Sequence, residues 1–130
     1  MVRPFSLLAT ATLCLLVHCQ FVQAKAMQKV VVSITQSECP RQRLKEYIAY
    51  LEHELNNNWK VNSNSATHTV SVLFAVHPGG EMSALQIQKS SLDRDADQAV
   101  LKTVENSRFK EPPSKCGDTI MFKATFESQK

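Results

Sequence analysis

Apolar residues recur at two different periods along this chain, and the changes of period divide it into elements. From Leu44 they fall at steps of three and four, through Tyr47, Ile48, Leu51 and Leu55 to Trp59, the spacing of one helical face. Pro40 suits the first turn of that helix, where its missing N–H costs nothing, with Cys39 or Ser37 as the preceding cap. Asn56, Asn57 and Asn58 and the polar run from Asn62 to Ser65 end the helix, because such side chains compete for backbone hydrogen bonds. The period then becomes two, and Val70, Val72, Phe74 and Val76 share one face of a strand. His77-Pro78-Gly79-Gly80 reads as a turn with both glycines at positive φ, and Leu85, Ile87 and Lys89 alternate on a returning strand.

Helical spacing returns in Ala96, Ala99, Val100, Thr103, Val104 and Ser107, a short second helix with small side chains toward the sheet. Phe109 closes it and the run from Glu111 to Ser114, with Pro112 and Pro113, breaks it. Thr119 to Phe126 is a last strand, with Ile120, Phe122, Ala124 and Phe126 on one face. Upstream, the β-branched run Val30 to Ile34 reads either as an additional strand or as a loosely held arm. The order is helix, hairpin, helix, strand, with neither a repeat nor a second domain.

The N-terminus changes this picture. Arg3 precedes an almost unbroken apolar run from Phe5 to Val17, and Val22-Gln23-Ala24 supplies small side chains before a cut, so a secretory signal over residues 1–24 is expected, cleaved between Ala24 and Lys25. An uncleaved membrane anchor is the competing reading, since Phe5 to Ala24 is about as long as a spanning helix; His18, Gln20 and Gln23 fit lipid poorly. The chain then divides into the signal, an arm over residues 25–39 and one domain over residues 40–130.

Cleavage removes Cys14 and Cys19 and leaves Cys39 and Cys116. In an oxidising compartment such a pair suggests one disulfide, worth roughly 4 kcal/mol on the chain-entropy model for so long a loop. Two buried free thiols are the alternative. A formal net charge of +3, mixed along the chain, argues against nucleic acid or anionic lipid as a partner.

Candidate chemistry is sparse. Asp93, Asp95 and Asp97 fit the first ligand positions of a calcium loop, but Gln98 stands where the turn glycine belongs and Val104 where the bidentate glutamate belongs. The same stretch fits a helix start better, with Asp95 as cap and Gln98 completing a capping box. His53, His68 and His77 lack paired zinc spacing, and neither a nucleophile elbow nor a phosphate loop occurs, so no catalytic residue, metal or cofactor is expected. Glu52, Glu54 and Glu105 read as solvated helix faces, and Trp59 as core in preference to an exposed anchor.

From Tyr47 to Phe126 the chain resembles the C-terminal domain of the TonB and TolA family of envelope proteins. The resemblance is carried by Tyr47, Ile48, Leu51, Leu55 and Trp59; by Val72, Phe74, Val76 and Gly80; by Leu85, Ile87 and Ser90-Ser91; by Asp97 and Ala99; and by Phe109-Lys110-Glu111-Pro112-Pro113 with Ile120, Phe122 and Phe126. It implies an α+β fold, a three-stranded antiparallel sheet packed against two main helices; the run Val30 to Ile34, read from its own residues, would add an extra N-terminal strand. It also implies a non-enzymatic periplasmic domain that binds protein partners by strand addition. Carried over by position, the accepting edge is the last strand: Thr119, Ile120, Met121, Phe122, Lys123, Ala124, Thr125 and Phe126.

The implied partner is an envelope protein, either an outer-membrane receptor or a Tol-system component, with no nucleic acid and no small-molecule substrate. An exposed last strand would leave the protein a monomer or a weak edge-paired dimer. Residues 25–39 reach at most roughly 50 Å when extended, short for an arm that crosses the envelope, so a stand-alone secreted relative is expected. A membrane-anchored energy transducer with an uncleaved signal is the alternative. A ferredoxin-like nucleic-acid-binding module is a second, which would want exposed aromatics on the central strands; Phe74 and Phe122 instead share faces with Val and Ile.

Overall fold

The computed structural model describes residues 27–61 and 67–129; the expected signal and its cut between Ala24 and Lys25 lie outside them. Among the described residues the elements are β1 (Met27–Gln36), α1 (Arg41–Asn58), β2 (His68–Val76), β3 (Met82–Lys89), α2 (Arg94–Asn106) and β4 (Ile120–Gln129), with one 3-10 turn at Ser114–Cys116. This is an α+β fold in which the N-terminal stretch is a true strand.

The helical period of α1 puts Leu44, Tyr47, Leu51 and Leu55 inside, with Ile48 half-buried beside them. Its start differs from expectation: Pro40 precedes the first helical residue and caps nothing with a side chain, while Ser37 Oγ accepts from the Cys39 amide at 2.9 Å. The Trp59 amide closes the other end on Leu55 O at 3.0 Å, and its ring is buried edge-on to Phe126, 5.1 Å between centroids. Trp59 is therefore core.

The β2–β3 turn is closed by Gly80 N donating to His77 O at 2.8 Å. Only Gly80 of the two turn glycines has positive φ, +94°, and a Cβ there would meet Phe109 O at 2.6 Å. Glycine is thus needed both for the turn and for the close approach of the Phe109–Lys110 backbone. Tyr47 fixes that backbone from the helix side by donating to Lys110 O at 2.8 Å; burial, then neighbouring Tyr50, push its hydroxyl well above its ordinary range.

Helix α2 begins two residues earlier than its expected cap. Asp93 Oδ1 accepts from the amides of Asp95 (2.9 Å) and Ala96 (3.3 Å), so Ala96 occupies the third helical position and no capping box forms. Val100 and Val104 are fully buried, and Phe109 stacks on Phe74 at 5.8 Å.

The strands form one antiparallel sheet in the order β1-β4-β2-β3. Alternate residues of β4, Ile120, Phe122, Ala124 and Phe126, join Val70, Val72, Phe74 and Val76 of β2 in one core with the helices, which cover a single face of the sheet. The expected free edge over Thr119 to Phe126 is corrected here: β4 is an interior strand, paired with β2 on one side and β1 on the other. Its inward side chains are as deeply buried as those of β2, which suits the centre better than an edge. Cys39 and Cys116, 77 positions apart, form a disulfide just beyond the end of β1 and just before the start of β4.

Candidate functional site

The flank of β4 expected to receive a partner is filled by β1. The register runs from Met27 opposite Gln129 to Gln36 opposite Met121, with one irregularity at Thr35, whose hydroxyl donates to Met121 O at 3.2 Å. Period-two alternation decides which side chains go in: Val30 lies opposite Phe126, Val32 opposite Ala124 and Ile34 opposite Phe122. Val30 and Val32 are buried and Ile34 is partly so. The opposite alternation puts Lys29 across from Glu127, Val31 across from Thr125 and Ser33 across from Lys123 on the open face.

Two polar groups fasten β1 to α1. Gln28 Nε2 donates to Asn56 O at 3.0 Å and to Trp59 O at 3.2 Å, satisfying carbonyls at a helix end that have no partner within the helix. Glu52 Oε2 accepts from the Val32 amide at 2.9 Å. That amide points away from β4, so the carboxylate covers the outer edge of β1 near its middle. Glu52 is therefore an edge cover, not the solvated residue that its sequence position suggests. At the root of the strand pair, the Glu38 carboxyl titrates above its ordinary value because Asp118 hydrogen-bonds to it and adds a second negative charge.

The other edge of the sheet is built differently. Strand β3 shifts register against β2 twice, Ala84 takes a positive φ of 54°, and none of its residues is fully buried. Bulges of this kind bend an edge away from further pairing.

Of the residues assigned to the accepting strand, Thr119 lies just ahead of β4, with Oγ1 2.9 Å from His77 Nδ1. Ile120, Phe122, Ala124 and Phe126 point into the core, and Met121, Lys123 and Thr125 are half-buried on the open face. The eight are together in space, but from Met121 to Phe126 the backbone already carries a strand on each side. Pattern reading missed Gln28 and Glu52. The signal for β1 itself was present, since Val30, Val32 and Ile34 repeat the alternation of Phe122, Ala124 and Phe126.

The aspartate stretch does local structural work. Asp97 accepts from Ser90 Oγ, from Ser91 Oγ at 2.7 Å and from the Ser91 amide at 2.9 Å, and Asp93 Oδ2 lies 3.3 Å from His68 Nε2. Burial alone would raise the Asp97 carboxyl, but the hydrogen bonds from Ser90 and Ser91 outweigh it and hold the group below its ordinary value. No group of three His, Cys, Asp or Glu side chains placed for a metal occurs among the described residues.

The geometry defines a small α+β module whose sheet holds an extended segment along one flank. The family model described as TonB C terminal matches residues 44–126, and the chain belongs to that family of non-enzymatic protein-interaction domains. Comparison with curated proteins and with solved structures gives no match. The matched region contains most of α1, then β2, β3, α2 and β4 as far as Phe126; β1 and Cys39 lie outside it.

Proposed function

We propose that this chain is a non-catalytic, periplasmic protein-binding module that takes up an extended segment of an envelope or outer-membrane protein as an added strand. One observation carries the reading: β1, a segment outside the family-matched region, lies along β4 for almost its whole length, so this flank accepts a strand. Backbone hydrogen bonds supply the affinity of such a contact and alternate side chains its selectivity. The acceptor is the flank of β4 along which β1 lies, Met121 to Gln129. Membership of the TonB C-terminal family supports a protein partner in the envelope. Export is supported by Arg3 with the apolar run from Phe5 to Val17, and by the Cys39–Cys116 bond, which suits an oxidising compartment.

In-cell photocrosslinking tests this. A photoreactive residue at Lys123, on the open face of β4, is compared with one at Glu105, an exposed position of α2. The expected result is an extended segment of an envelope protein trapped from Lys123 and absent from Glu105, mapped by mass spectrometry of the adduct. Equal labelling at both sites, or none, refutes the reading.

A further inference from the structure

We propose that β1 is an exchangeable resident of the groove between β4 and α1, and that the partner segment replaces it there instead of adding outside it. The inference rests on the strand-addition reading above and specifies its site and its ligand.

Neither outer edge of the sheet offers a clear template. Glu52 occupies the Val32 amide on the outside of β1, and β3 is broken by two register shifts with Ala84 at positive φ. A long, nearly uninterrupted ladder is found where β1 meets β4. Strand β1 is also the separable part of the sheet. It lies outside the family match, it pairs on one side only, and Val30 and Val32 alone among its residues are buried.

The disulfide sets the limit of exchange. Cys39 follows β1, so residues 27–38 can leave β4 while the bond to Cys116 keeps the start of α1 anchored beside the start of β4. What remains is the family-matched unit with its core helix in place. The Cys39–Cys116 bond thus divides an exchangeable strand from a fixed acceptor.

The resident describes the partner that would fit. The segment runs antiparallel to β4 and carries β-branched aliphatic side chains at three alternate positions, opposite Phe126, Ala124 and Phe122. The position two residues before the first of these takes a hydrogen-bond donor, because it faces the carbonyls of Asn56 and Trp59 that Gln28 now satisfies; a carboxylate there would be repelled. The side chain across from Lys123, where β1 has Ser33, would favour an acid.

A tethered strand competes at an effective concentration on the order of millimolar, so a free copy of it exchanges only weakly unless the resident is loosened. The test uses a fluorescein-labelled peptide with the sequence of residues 27–36 and its scrambled control, added to three forms of the protein. These are the wild type, a loosened form (Val32→Thr) and a locked form in which Val31→Cys and Thr125→Cys join the facing pair on the open side, each checked for retained melting behaviour. Weak binding to the wild type, ~10-fold tighter binding to Val32→Thr and none to the locked form are expected. Equal specific binding to all three overturns exchange and leaves strand addition standing at another edge. Specific binding to none of them overturns exchange, while labelling from Lys123 decides strand addition independently.

Discussion

The two outer strands of this sheet are held in opposite ways. Strand β3 is tied to its neighbour by a turn of a few residues, and it stays in place with its side chains at most half-buried and its register twice broken. Strand β1 joins β4 from the far end of the sequence. It has a nearly regular ladder, two buried valines and two polar fastenings to α1. The difference follows from loop closure: a short turn supplies proximity at little entropic cost, whereas a strand brought from afar must be held by what it buries. An edge secured by side chains is also one whose occupancy substitutions can tune.

The largest expected effect removes support from the shared wall. Phe126 is fully buried and lies across from Val30 on one side and Val70 on the other, so Phe126→Ala should cost about 3–5 kcal/mol and loosen both halves together, read by denaturant unfolding. Replacing both cysteines, Cys39→Ser with Cys116→Ser, should cost about 2–5 kcal/mol. Amide exchange should then rise more in β1 than in the β2–β3 hairpin; an equal rise would mean that the disulfide does not serve the β1 edge in particular. Next, Val32→Ala should cost about 2 kcal/mol and Leu85→Ala about 1 kcal/mol, because the first is fully inside and the second half-buried. Equal costs, measured by thermal melts, would remove the distinction between the edges.

The smallest effect acts on the β3 side alone. Asp97 has a folded-state carboxyl below its ordinary value of 3.8, so its contribution is complete above that value and is lost as pH falls through the lowered one. Between about pH 5 and about pH 2.5 the melting temperature of the wild type should fall further than that of Asp97→Asn. The β1 ladder, which has no contact with this carboxylate, should show no such difference in amide exchange.

Much of the fold was legible because a single period governs each element. The stripe from Leu44 to Leu55 and the alternations of β2 and β4 specify which faces are inside. Strand order was not legible: Val30 to Ile34 carries the alternation of an inner strand, but whether it pairs, and with which neighbour, depends on contacts far apart in sequence. The helix start at Asp93 was misplaced because three aspartates at alternate positions compete for one cap, and the hydrogen bonds of Ser90 and Ser91 to Asp97 decide among them. Glu52 was misread because it borders the apolar stripe of α1, and only the path of β1 shows what its carboxylate meets. The accepting strand was identified as a set of residues, while its occupied state lay in a topology that no periodicity encodes.

The register has a mechanical consequence. Met27 lies opposite Gln129, so the first residue of β1 and the last of β4 leave the sheet side by side, and the Cys39–Cys116 bond closes the pair near its opposite end. Tension between those two strand ends would open the pair as a zipper opens, breaking rungs one after another under low force, whereas tension along the strands would have to break them all at once. The travel is finite. The last rung stands next to a covalent stop, so a pull strong enough to bare β4 would stall at the disulfide before it reached the helices.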